Sequence, residues 1–151
     1  MMNEQAMTGI ELRGHTVSKG ACTGVALVSQ EPISFMGGVD PTSGIIVEAQ
    51  HPLHGVCVSG LVLIFPYGKG STVGSYILYE MCFENTAPKA IINLRADPIV
   101  AIGAIIGGIP MIDRVTPNPL TVITTGDTVL VDATAGKITL LKRNSGSLAA
   151  F

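Results

Sequence analysis

Tryptophan is absent from this chain of 151 residues, aromatic side chains make up 5% of it, and charged ones 13%. A globular domain ordinarily carries about 25% charged residues, so the usual polar covering is roughly halved. Nucleic-acid binders displace counterions with clustered positive charge and stack bases on aromatic rings. Here nine Lys and Arg are scattered singly apart from Lys142-Arg143, and eleven Asp and Glu outnumber them, for a formal net charge of −2. That pattern excludes a nucleic-acid surface. Long apolar runs are missing too. The longest uncharged one, Pro98 to Ile112, falls short of the ~20 residues of a membrane span and is broken by Gly103, Gly107, Gly108 and Pro110. Cysteine is sparse: Cys22, Cys57 and Cys82 are odd in number, widely spaced and without a CxxC pair. This suits reduced thiols in a cytoplasm, not a disulfide framework, and three scattered thiols cannot complete a four-thiolate metal site. The opening MMNEQAMTGIELRG lacks the basic start and apolar core of a signal peptide, so a cytoplasmic location is expected.

What is present is apolar: 47% hydrophobic residues, enough to bury a large core and to exclude disorder. The length suits one domain. A soluble chain so poor in charge is expected to cover part of its surface with another chain.

Along the sequence, Glu11 to Val17 and Ala21 to Ser29 alternate and meet at Lys19-Gly20, which predicts an antiparallel pair. Gly44 to Ala49 reads as a short strand. Gly60 to Pro66 (GLVLIFP), Pro88 to Leu94 (PKAIINL) and Ile109 to Asp113 read as strands buried on both faces. Two helices alternate with them: Ser71 to Asn85, capped by Ser71 or Thr72, and Asp97 to Gly107, capped by Asp97 with Pro98 in its first turn. Thr128 to Asp132 and Lys137 to Leu141 form a closing hairpin around Ala135-Gly136. The order argues for an α/β domain over residues 11–142: a small parallel sheet with flanking helices, plus antiparallel strands forming a barrel-like layer. Residues 1–10 and 143–151 read as flexible tails. The helix over 71–85 is apolar nearly all round, which implies burial on two sides, against the rest of the fold or against a partner protein.

The strongest chemical motif is Gly68-Lys69-Gly70-Ser71-Thr72-Val73-Gly74-Ser75, between a buried strand and a helix. Glycines let a backbone approach a ligand closely, and the N–H groups of a helix start can hold an anion. The motif is neither a P-loop, since Gly70 follows Lys69, nor a dinucleotide fingerprint, since Gly74 comes one residue late. On spacing alone, Ser71 reads equally as a helix cap. A second glycine-rich turn, Ser34-Phe35-Met36-Gly37-Gly38-Val39-Asp40, carries an exposed-looking Phe and Met. His51 and His54 are separated by Pro52, with no carboxylate or thiolate at metal-ligand spacing.

These segments, with His54-Gly55 and Ala87-Pro88-Lys89-Ala90-Ile91-Ile92, resemble the small subunit of aconitase X from about Glu11 to Leu141. The resemblance implies a swivelling β/β/α fold in a hydro-lyase of the aconitase superfamily. It implies a larger partner subunit that carries an iron–sulphur cluster, with none bound by this chain alone. It implies that Ser71 is the proton acceptor, that Lys69, Gly70 and Thr72 contact substrate, and that the loop holding Ser34, Phe35, Gly37, Gly38 and Asp40 touches substrate or partner. The superfamily's Gly-Ser-Ser-Arg becomes Gly70-Ser71-Thr72-Val73 here. Loss of the arginine, which clamps a carboxylate bidentately, argues against tricarboxylic acids. Among the family's activities, a separate chain with this serine loop favours dehydration of (R)-5-phosphomevalonate to trans-anhydromevalonate 5-phosphate, a step toward isoprenoids. Dehydration of cis-3-hydroxy-L-proline stands as the alternative, and a non-catalytic swivelling binding domain as the bland one. A phosphohistidine carrier would need a His where Ser71 stands.

Overall fold

A computed structural model describes residues 9–144, so the expected tails over 1–8 and 145–151 lie outside the described residues. Seven strands close a barrel in the order β1-β5-β4-β3-β2-β6-β7. In chain order they are β1 (Glu11–Ser18), β2 (Ala21–Val28), β3 (Val62–Phe65), β4 (Ala90–Asn93), β5 (Met111–Thr116), β6 (Thr128–Asp132) and β7 (Lys137–Lys142). Strands β2 to β5 are mutually parallel, β1 and β6 flank them antiparallel, and β7 closes the barrel between β1 and β6, antiparallel to both. Three helices intervene: α1 (Gly74–Glu84), α2 (Pro98–Gly107) and the short α3 (Pro119–Val122). The α/β architecture expected from the strand and helix order is therefore present. No helix among the described residues is long and apolar enough to cross a membrane.

Alternation along each strand sorts side chains into two cores. Val62 and Ile64, with Ala90, Ile92, Ile112, Val129 and Leu140, fill the barrel. Leu63, Phe65, Ile91 and Met111 face outward under Leu78 and Met81 of α1 and Val100 and Ala104 of α2. This is why GLVLIFP is apolar without interruption: both faces of β3 are buried, as expected.

Three expectations about the secondary-structure elements need correction. The strands β1 and β2 do not pair. Both edges of β1 are taken by β5 and β7, while Gly20, at φ +135, carries the chain across to β6. The carbonyl of Gly20 accepts from Ala133 and Thr134, which anchors that crossing. Alternation reports a strand's faces, not its neighbour. The segment Gly44 to Ala49 makes only isolated bridges, Val39 to Ile46 and Ile45 to Cys57, in a loop layer that packs Ile33, Phe35, Ile46 and Val58 onto the outer core. The third correction concerns the start of α1 and is described with the site. At the described ends, Gly9 N–H donates to the Leu140 carbonyl, and Arg143 pairs with buried Asp127 at 3.0 Å.

Candidate active site

The connection from β3 to α1 leaves the carboxyl end of a parallel strand, the edge where α/β sheets ordinarily bind ligands. It is fixed from two sides. A short parallel bridge joins Gly68 to Ile33, with Lys69 N–H donating to the Ile33 carbonyl at 3.1 Å. Gly68 N–H donates to Asp97 Oδ1 at 3.1 Å, tying the loop to the start of α2. The first tie brings the 34–40 loop alongside. Gly70 sits at φ +97, and a Cβ there would strike Ser34 Oγ, so this position needs glycine both for its backbone and for the close approach.

Ser71 follows at the exposed crest. Its Oγ accepts the Val73 N–H at 3.1 Å, and its carbonyl accepts from Gly74 at 2.9 Å. The residue that caps α1 is Val73, with no side-chain cap bond, and not Ser71 or Thr72. A turn through Ser71, Thr72 and Val73 precedes the helix and separates the serine from it, so Ser71 caps that turn instead. Among the described residues, the N–H groups of Gly70, Ser71 and Thr72 donate to no protein acceptor. A hydroxyl oxygen that accepts the Val73 N–H has one donor in place to favour negative charge on it.

Ser34, Gly37, Gly38, Lys69 and Gly70 line one cavity of about 370 Å³, together with Met36 and Glu48, so the fold brings the two glycine-rich motifs side by side. Glu48 was not anticipated: its Oε2 lies 3.1 Å from Lys69 Nζ, so the lysine reaches a carboxylate across the cavity. No motif surrounds Glu48, and only the fold brings it across the 21 residues that separate it from Lys69. Thr72 faces the opposite flank, where Val73, Tyr76, Tyr79, Ile102 and Ile106 line an apolar groove of about 390 Å³ between α1 and α2.

Phe35 is not the exposed tip of its loop. It is 2% exposed and packs edge-on against Phe65, with ring centroids 6.3 Å apart, because the outer core needs a cover over β3. Met36 beside it is exposed. Asp40 turns inward on its own loop, accepting from Thr42 N–H at 3.1 Å and Ser43 Oγ at 2.9 Å. His51 is buried, its Nδ1 accepting from Leu53 N–H and its Nε2 directed at the Pro32 carbonyl.

The residues present do not fit a metal cluster. Among the described residues no group of three or more His, Cys, Asp or Glu converges. The three thiols point at separate carbonyls, those of Lys89, Ser43 and Leu78. Burial pushes the Cys22 and Cys82 thiols up from their ordinary range, with Lys89 partly opposing this at Cys22.

The family model described as the aconitase X swivel domain matches residues 11–140. The phosphomevalonate dehydratase small subunit of Methanocella arvoryzae is 56% identical over 131 residues, covering 87% of this chain and 99% of the relative. That of Methanosarcina mazei is 50% identical over 140 residues, covering 93% and 97%. The crystal structure of Thermococcus kodakaraensis aconitase X in its holo-form superposes with a TM-score of 0.85 at 46% identity, over 89% of this chain and all of the matched chain. A solution structure of a UPF0107 protein superposes with a TM-score of 0.80 at 38% identity, over 88% of this chain and 100% of that one.

Proposed function

Because this chain belongs to the aconitase X swivel-domain family, we propose that it is the small subunit of a phosphomevalonate dehydratase and supplies the base for water loss from (R)-5-phosphomevalonate. The observation that supports the reading is Ser71, on a crest where the N–H groups of Gly70, Ser71 and Thr72 have no protein acceptor among the described residues, in the Gly-Ser motif to which the resemblance assigns the proton acceptor. In this reading Ser71 Oγ, as the alkoxide, takes the proton from the carbon beside the hydroxyl-bearing carbon. The C–H electron pair becomes the double bond, the hydroxyl departs, and the proton completes the leaving water. The chain's own contribution is to hold charge on Oγ before that transfer. Each N–H aimed at the developing charge in a dry site contributes about 3 kcal/mol, and the Val73 N–H already points at the oxygen.

The names of the relatives support a larger partner subunit. The iron–sulphur cluster expected for the family belongs to that partner. The departure of the hydroxyl belongs to the partner's half of the site, so this chain alone is inactive. Lys69 and Glu48 neutralise each other at the cavity rim, which favours a positioning role over direct alkoxide stabilisation for the lysine.

The test is anaerobic co-expression with an aconitase X-type large subunit, offering 5-phosphomevalonate and cis-3-hydroxy-L-proline to wild type and Ser71→Ala. Turnover of the phosphorylated acid that is lost in the variant is the expected result. Turnover of hydroxyproline alone would reassign the substrate, and full activity of Ser71→Ala would remove the serine from the chemistry.

A further inference from the structure

A second cavity opens at the carboxyl ends of β4 and β5. Its volume is about 590 Å³, and Tyr67, Arg95, Asp97 and Arg114 lie on its wall. Arg114 is the informative residue. It sits inside β5 at φ +53, a conformation that L side chains rarely adopt. The register explains how it is held there. Arg13 of β1 faces Thr116 and His15 faces Asp113, so the single residue Gly14 opposes two, Arg114 and Val115. This is a β-bulge whose first residue is left-handed, a place ordinarily held by glycine. Gly14 makes the bulge possible, since a Cβ there would run into the Asp113 carbonyl oxygen and the Val115 side chain. A bulge re-aims a side chain, and an arginine in glycine's place is an unfavourable backbone state of the kind that gathers at functional sites.

Two guanidinium groups and two carboxylates meet here, and it is the carboxylates that are already engaged by backbone donors. Asp97 is occupied by two backbone donors, Gly68 N–H at 3.1 Å and Ile99 N–H at 3.0 Å. Asp113 is buried, accepts the Ala96 N–H at 2.9 Å, and lies 3.9 Å from Arg114 Nε. Arg95 has no carboxylate partner among the described residues. Tyr67 on the wall precedes Ser71 by four residues, so the two are at most about 14 Å apart along the chain.

We propose that Arg95 and Arg114 form the binding site for the phosphate group of a phosphorylated substrate whose reacting carbon lies at Ser71. The assignment rests on the hydro-lyase reading above and deepens it. Planar guanidinium forks match phosphate oxygens two at a time, and two of them match a dianion better than a carboxylate.

The test uses the full chain and then the assembled complex. Inorganic phosphate is titrated into the isotope-labelled chain at constant ionic strength, with acetate as the parallel arm, and amide shifts are followed by NMR. Saturable shifts are expected at Tyr67, Arg95 to Asp97 and Arg114, with acetate much weaker, and both Arg95→Ala and Arg114→Gly should abolish them. Arg114→Gly suits the test because glycine relaxes at φ +53, so the variant should melt no earlier than wild type. In the complex, each substitution should raise KM for 5-phosphomevalonate tenfold or more while kcat changes less than twofold. Shifts elsewhere, equal shifts with acetate, or an unmoved KM in both variants would overturn the assignment. Should the wild-type complex fail to turn over 5-phosphomevalonate, the functional reading falls, and the phosphate titration still decides the cavity.

Discussion

On the proposed function, two serines four residues apart divide chemistry from architecture. Ser75 Oγ donates to the Ile99 carbonyl at 2.7 Å and ties α1 to α2, whereas Ser71 Oγ accepts only the Val73 N–H of its own turn. A hydrogen bond of either kind contributes about 1 kcal/mol, so both alanine variants should melt within about 4 °C of wild type. Only Ser71→Ala should lower kcat of the assembled enzyme, by about 10²-fold or more, the range for a lost general base. Matching kcat losses in the two variants would make Ser71 architectural. Gly70→Ala forces a side chain into φ +97 and against Ser34 Oγ. It should destabilise the chain by about 1–3 kcal/mol, read by chemical denaturation, and adding Ser34→Gly should recover only the part due to collision. The spacing Gly68-Lys69-Gly70-Ser71 was legible because a tight strand-to-helix crossing needs glycine wherever it is built. Phe35 was not, because its partner Phe65 lies on a strand 30 residues away and the turn around it is polar. Nor was Arg114, whose backbone is set by Gly14 on a strand at the other end of the sequence.

At the scale of elements, the central strands were readable because burial on two faces removes polar residues from the whole run, and β3, β4 and the start of β5 lie within the segments expected. The neighbour of β1 was not readable, since pairing with β5 and β7 is settled by closure of the barrel. The low outward polarity of α1 had two local readings, and the packing shows that this fold buries one side alone: Leu78 and Met81 face the core while Tyr76 and Phe83 are exposed. Element position also sorts the thiols. Cys57 is exposed on the loop layer, while Cys22 on β2 and Cys82 on α1 are half-buried with thiols pushed above their ordinary 9.0. The thiolate is the reactive form, so a raised value lowers its share at any neutral pH. Near pH 8 one thiol per chain should react quickly with a disulfide reagent and two slowly. Peptide mapping should place the fast one at Cys57, and raising the pH past 9 should accelerate the slow pair. Fast labelling of Cys22 or Cys82 at pH 8 would contradict this picture.

For the whole molecule, the shortage of charge comes to rest on one surface. Tyr76 is 73% exposed and Phe83 70% on α1, and Ile102, Ile105 and Ile106 are exposed on α2. Tyr79 and Phe83 stack edge-on at 4.9 Å, so the patch is continuous along α1, and its groove begins at Thr72 and Val73, directly after Ser71. Exposed apolar patches of this kind mark protein interfaces. Under the proposed function, a partner that completed a site at Ser71 would approach the same crest, so this face is the one where the large subunit is expected to dock. A charge at the rim of an apolar interface is costly to bury unpaired, and the residues concerned touch solvent in the free chain. Tyr76→Glu and Ile106→Glu should therefore fold as wild type does, with melting temperatures within a few degrees, yet lose co-purification with the large subunit and with it all turnover. Substitution at Lys142, exposed at the end of β7 and away from the patch, should leave assembly intact. Normal assembly of both glutamate variants would place the partner on another face and leave the exposed isoleucines of α2 without a role in the complex.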